Sequence, residues 1–260
     1  MTAQLKSHSD GQTLVLTLSN PEFRNALGPE IYSAGVEALN VAESNPDLRS
    51  VVLTGEGAHF SAGGNLHRLL ANRAQPLENQ AQGIDGLHNW IEVIRTFPKP
   101  VIAAVEGAAA GAGFSLALAC DLLVAAQDSV FVMAYSSVGL SPDGGGSWQL
   151  SRALPRAMVN QLLMLGDKIQ ASQLHTWGLV NQLCAPGQAL TDALALADRL
   201  NKRAPNAMGS IKELVNSADQ SDLFAQLPLE KQYFLQNLNH PNAGIGIQAF
   251  LNQEQPQYKP

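Results

Sequence analysis

With 260 residues, 45% of them hydrophobic and 15% charged, the chain can bury a sizeable core and is too apolar for a disordered polymer. A formal net charge of −6 offers no electrostatic footprint for nucleic acid or for an anionic membrane. Its two cysteines, Cys120 and Cys184, are too few for a disulfide framework or a zinc site, so a soluble protein of the reducing cytoplasm is expected. Met1 to Asp10 is polar without an apolar signal core, and no apolar run free of turn signals reaches the ~18 residues of a membrane span.

Thr13 to Leu18 alternates as a half-buried strand. Asn20-Pro21 breaks it, and Pro29 to Glu43 reads as a helix with proline in its first turn. Val51 to Thr54 is strand-like, and Leu66 to about Asn72 is helix-like. Ala74 to Gln82, polar and carrying Pro76, is expected to be the most mobile segment. Ile84, Leu87, Ile91 and Ile94 recur at helical spacing up to Pro98. Val101 to Val105, Leu122 to Ala126 and Val130 to Met133 are strand-length runs alternating with helices, the pattern of an α/β core. From Arg156 helices dominate: Met158 to Leu165, Ala171 to Gly178, Gln188 to Arg203, Asn206 to Ala218, and Asp222 to Leu238 with a break expected at Pro228.

Two runs of small residues stand out. Phe60-Ser61-Ala62-Gly63-Gly64-Asn65-Leu66 follows one strand, and Gly107 to Gly113 follows another and leads into the helix-like Phe114 to Cys120. Small residues there either permit tight packing or bare backbone N–H groups, and a helix start leaves such groups unpaired and partially positive. Two such turns that converge would present paired donors to one oxygen, the arrangement that stabilises an oxyanion.

Pro98 to Gly107, Gly111-Ala112-Gly113 and Leu116-Ala117-Leu118-Ala119-Cys120-Asp121 together resemble the crotonase (enoyl-CoA hydratase/isomerase) superfamily. Asn25-Ala26-Leu27, Gly178-Leu179-Val180-Asn181 and Gly244 to Leu251 extend the resemblance over essentially the whole chain. It implies an α/β spiral of ββα units over residues 1–200 and a helical oligomerisation subdomain over 201–260, assembling as a homotrimer or a hexamer. It also carries the two oxyanion-hole N–H groups over to Gly64 and Ala112. The substrate it implies is an acyl-CoA thioester, with coenzyme A entering as part of the substrate, no permanently bound cofactor and no metal.

Hydratases of that family activate water between two glutamates. The matching positions here hold Ser115 and Tyr135, neither able to act as a carboxylate base. A carboxylate stands instead in Gly139-Leu140-Ser141-Pro142-Asp143-Gly144-Gly145-Gly146-Ser147-Trp148. Pro-Asp-Gly by itself describes an ordinary turn. With Phe131 to Tyr135 before it, the segment is similar to the ring-epoxide (1,2-epoxyphenylacetyl-CoA) isomerase branch, and the resemblance implies that Asp143 is the catalytic carboxylate. An aspartate there also serves as nucleophile in an aryl-CoA dehalogenase branch. Three uses stay open: an isomerase, a hydratase or ring-opening hydrolase, and a non-catalytic acyl-CoA or RNA binder, RNA being disfavoured by the acidic charge.

The resemblance assigns the coenzyme A cradle to Phe23, Arg24 and Ala26 and to backbone at Ala62 and Leu66. Gly63, Asn65, Gly111, Ser115, Ala134 and Tyr135 complete the implied substrate contacts. Lys6, Arg24 and Lys259 are the cations available for phosphates. His67 and His88 read as surface or packing residues, and Trp148 as pocket lining or core. Gly113-Phe114-Ser115-Leu116-Ala117 approaches a nucleophile elbow but ends in alanine, and Gly111-Ala112-Gly113 lacks the third glycine of a dinucleotide loop.

Overall fold

The computed structural model describes residues 3–260; the first two residues of the polar amino-terminal stretch lie outside the described residues. β1 (Gln4–Asp10) and β2 (Thr13–Ser19) pair antiparallel around Gly11 at φ +54°, so a sequence too polar to suggest a strand forms an exposed sheet edge. α1 (Pro29–Ser44) starts on its proline and buries Ile31, Tyr32, Leu39 and Ala42. β3 (Ser50–Gly55), α2 (Leu66–Asn72) and α3 (Leu77–Thr96) follow. The segment expected to be mobile is helical from Leu77 onward, with Pro76 capping the start of α3.

β4 (Val101–Val105), β5 (Ala108–Ala110), α4 (Ala112–Ala119), β6 (Leu122–Ala126) and β7 (Val130–Val132) form the centre. Then come α5 (Gly146–Ala153), α6 (Arg156–Leu165), β8 (Ile169–Gln170), α7 (Ala171–Thr176), β9 (Gln182–Cys184) and α8 (Ala189–Asn201). α9 (Pro205–Ala218), α10 (Leu223–Leu238) and α11 (Pro241–Asn252) close the chain. The break expected at Pro228 is absent: α10 runs through it and forgoes the one hydrogen bond that proline cannot donate.

A six-stranded sheet of order β1-β2-β3-β4-β6-β9 is parallel from β2 onward, and a three-stranded sheet has the order β5-β7-β8. Ser61 bridges Ala109 in parallel, which adds the first small-residue run to the edge of the smaller sheet. The chain therefore alternates between sheets: β3 then Ser61, β4 then β5, β6 then β7. This is a spiral of two-strand units, and the helices after the first two of them are α2 and α4. Of these second strands the sequence showed β7 but not β5, because three residues of alanine inside a glycine run carry no strand signature.

Both faces of the large sheet are covered, which explains its uninterrupted apolar runs. Leu53, Ala103, Val105 and Leu123 join Trp90, Phe114 and Phe131 on one side, while Val52, Ile102, Ala104 and Val124 meet α8 on the other. Ala189, Ala193 and Ala197 recur every four residues on α8, so the helix lies close on the strands.

Candidate active site

Asn25 organises the first turn. It is fully buried at φ +56°, and its side-chain oxygen accepts from Asn20 N–H at 2.9 Å. Its amide donates to the carbonyls of Glu56 at 2.9 Å and His59 at 2.7 Å. Two backbone bonds then dock the neighbouring loop: Ala62 N–H to Arg24 O at 2.8 Å and Leu27 N–H to Gly63 O at 2.7 Å. Ser61, buried, donates its hydroxyl to Asn25 O at 2.8 Å and accepts from Gly63 N–H at 3.1 Å. Its own backbone pairs with Ala108 O at 3.0 Å and Ala110 N–H at 2.9 Å. The 61–64 loop is thus clamped between the Arg24 loop and β5.

The second turn packs directly on the first. Gly111, at φ +49°, donates to Val132 O at 2.8 Å and hands over to α4 at Ala112. A Cβ on Gly63 would lie 2.5 Å from Ala110 O and 3.1 Å from Ala112 N, and one on Gly113 would lie 2.7 Å from Ser61 O. The two runs are small because their backbones touch. Ala112 begins its helix, so its N–H has no acceptor inside it. Among the described residues, the turn, loop and cap hydrogen bonds use neither the Gly64 nor the Ala112 N–H. Two uncommitted donors on abutting turns are the requirement for holding one oxyanion.

Asp143 stands beside the second turn. Tyr135 donates its hydroxyl to Asp143 Oδ1 at 2.6 Å, and Ser115 Oγ donates to the Asp143 carbonyl at 3.0 Å. A Cβ on Gly144, at φ +59°, would lie 3.1 Å from Ser115 Cβ, and one on Gly146 would lie 2.6 Å from Ser115 Oγ. The glycines after Asp143 therefore let the turn close over α4. The ring of Tyr135 sits 3.5 Å from where a Gly111 Cβ would be, tying the carboxylate to the donor turn. Burial, then the Asp143 charge and the hydrogen bond to it, pushes the Tyr135 phenol far up, so it stays protonated and donates. Tyr32 on α1 is pushed up to about 12, by burial first, with Arg68 on α2 opposing and Asp143 adding.

Most of the residues expected at the site converge. The Arg24 and Ala26 loop, Ala62 to Gly64, Gly111, Ala112, Ser115, Tyr135 and Asp143 form one continuous contact path. Phe23 and Arg24 are exposed at its mouth. Asn65 caps α2 through Arg68 N–H at 3.1 Å, which leaves Leu66 exposed as the first helical residue. Ala134 is half-buried between β7 and Tyr135. Lys6 is committed to Glu56 at 2.9 Å, and the Lys259 backbone to Asn242. His67 and His88 are exposed. Trp148 is not a core residue: Arg95 and Arg152 lie 5.3 and 4.1 Å from its ring.

Sequence reasoning missed the structural work of Ser61 and Asn25 and the charge of Arg68 beside Tyr32. It took Ser115 and Tyr135 as absent glutamates and substrate contacts, and did not foresee their hydrogen bonds to Asp143. An open groove of about 550 Å³ between α1 and α3 includes neither Asp143 nor either donor turn. Among the described residues no cluster of His, Cys, Asp or Glu could hold a metal, and no helix is long and apolar enough to cross a membrane.

Two abutting turns with uncommitted backbone donors lie beside a turn that carries a carboxylate, on a parallel-rich two-sheet spiral. The sequence profile of enoyl-CoA hydratase/isomerase matches residues 9–260, and the chain belongs to that family of acyl-CoA enzymes. It is 36% identical to 1,2-epoxyphenylacetyl-CoA isomerase of Escherichia coli, over 97% of this chain and 97% of that protein. Carnitinyl-CoA dehydratase of Salmonella enteritidis is 32% identical over 100% of this chain and 99% of its own. The crystal structure of an enoyl-CoA hydratase from Polaromonas sp. JS666 superposes with a TM-score of 0.98 at 66% identity, covering 98% of this chain and 100% of that one. The fold is the crotonase fold.

Proposed function

We propose that this chain isomerises an unsaturated or ring-epoxide acyl-CoA thioester, with Asp143 shuttling the proton and the N–H groups of Gly64 and Ala112 holding the enolate oxygen. One observation carries the reading: Ser115 and Tyr135, where hydratases of the family carry glutamates, both bond to Asp143, leaving it the one carboxylate of that cluster. A single carboxylate suits removal of a proton from one carbon and its return to another, with no net water. The thioester C–H becomes acidic when its enolate oxygen is held, and loss of one such donor in other enzymes costs roughly 2.7–4 kcal/mol.

Hydration is the second reading, favoured by the description of the 66% identical Polaromonas structure as a hydratase. It would have to proceed with Asp143 alone activating water. A residual binder is the third, and it leaves the two uncommitted donors without a purpose.

Coenzyme A enters with the substrate, along the loop from Phe23 to Ala26 and the backbone from Ala62 to Leu66, and no other cofactor is required. The helices beyond residue 200 serve assembly as a trimer or hexamer. Support comes from the exposed Ile211, Phe224, Phe234, Phe250 and Leu251 and from an apolar groove of about 510 Å³ between α9 and α10. Free, buried Cys120 and Cys184 suit the reducing cytoplasm.

The decisive variant is Asp143→Asn, which preserves shape and removes the base. It should abolish isomerisation of 3-hexenoyl-CoA and of 1,2-epoxyphenylacetyl-CoA while acyl-CoA affinity stays within a few fold by calorimetry. Retention of most of the rate would remove Asp143 from the mechanism.

A further inference from the structure

The turn that carries Asp143 has little rigidity of its own. Gly144 and Gly145 both adopt positive φ, at +59° and +75°, and Asp143 itself is only half-buried. An aspartate ahead of three glycines would sample several orientations unless something outside the turn held it. Two bonds do so. Ser115, fully buried on α4, fixes the backbone of Asp143 by donating to its carbonyl at 3.0 Å. Tyr135 fixes the side chain by donating to Oδ1 at 2.6 Å. Among the described residues, no hydrogen bond involves Oδ2 of Asp143.

We propose that Tyr135, backed by Ser115, is the positioning residue of this enzyme, locking one carboxylate oxygen so that Asp143 Oδ2 alone carries the transferred proton. The inference rests on the isomerase reading and adds to it. In the step, a C–H bond α to the thioester breaks, its proton goes to Oδ2 and its electron pair enters the enolate. The enolate electrons then form a C–H bond at the distant carbon as the Oδ2–H bond breaks. No oxidant, reductant or water is consumed. The phenol proton stays on Tyr135 throughout, in keeping with the burial and adjacent charge that suppress its ionisation.

The test follows 3-hexenoyl-CoA, deuterated at the carbon next to the thioester, in ordinary water, and reads kcat, KM and the fraction of product that carries deuterium at the distant carbon. Tyr135→Phe keeps the ring against Gly111, so it should fold; its thermal melt checks this. It should lower kcat roughly ten- to a hundredfold with KM within about twofold, the scale of a misplaced catalytic group. The retained label should fall by at least half, because a carboxylate free to turn exchanges its proton before delivery. Ser115→Ala should move the label in the same direction and provides the reading if Tyr135→Phe does not fold. Unchanged retention in a folded variant, or complete loss of label in the unmodified enzyme, would overturn the positioning role and leave the isomerase reading intact. Absence of isomerisation by the unmodified protein would instead overturn the isomerase reading and this inference together.

Discussion

Gly63 and Gly64 are neighbours with different obligations. Gly63 sits at φ +82° with no room for a Cβ beside Ala110 O, at 2.5 Å. Gly64 has ordinary φ, and a Cβ there would meet only Leu69 Cδ1, at 3.6 Å. Gly63→Ala is therefore expected to strain the turn by about 1–3 kcal/mol, read as a lower urea midpoint, and to slow turnover with it. Gly64→Ala should leave the rate within a few fold. Gly64→Pro deletes the N–H itself and should cost roughly a hundred- to a thousandfold in kcat for folded protein. Near-normal turnover by folded Gly64→Pro would refute the two-donor oxyanion hole. The sequence pointed to Gly64 and Ala112 only through family resemblance, since nothing local marks which N–H groups stay uncommitted. That Gly63 must be glycine was not legible at all, because the atom excluding its side chain belongs to β5.

At the scale of elements, α4 and the Asp143 turn close on each other through glycine. A Cβ on Gly146 would lie 2.6 Å from Ser115 Oγ, so there is no space beside Ser115 for a longer side chain. Ser115→Glu is expected to push the turn away, lower the melting temperature by several degrees and yield no efficient hydration of crotonyl-CoA. Robust hydratase activity in that single variant would show that Asp143 can share water with a restored glutamate. The strands of the large sheet were readable because burial on both faces demands unbroken apolar runs. In the smaller sheet only β7 was, since β5 is three alanines and β8 two residues, pieces fixed by tertiary hydrogen bonds rather than by propensity. Pro228 misled for the same reason: context overrides a local breaker.

Over the whole molecule, Lys212 fastens the carboxy-terminal helices to the core. Its ammonium on α9 meets Asp121 at 2.8 Å and Ile94 O at 2.8 Å, and the same Asp121 oxygen accepts from Val101 N–H at 2.8 Å. Lys212→Met should leave that carboxylate short of a donor and cost about 1–3 kcal/mol in urea unfolding. Sedimentation velocity should find a trimer or hexamer, and Phe224→Glu with Phe250→Glu should shift it to lower mass. The helical end of the chain was visible in sequence as a run of helical segments, but its docking through the half-buried Lys212 was not, because the partners lie more than ninety positions apart. The central claim, proton transfer without water, is tested most directly by mass spectrometry of 3-hexenoyl-CoA, 2-hexenoyl-CoA and 1,2-epoxyphenylacetyl-CoA incubated with the enzyme in deuterated water. The account predicts that the first becomes its conjugated isomer or the third a rearranged isomer, with at most deuterium for hydrogen at carbon and no mass of water gained. Conversion of 2-hexenoyl-CoA to a product heavier by one D2O, with no isomerisation of the other two, would contradict it.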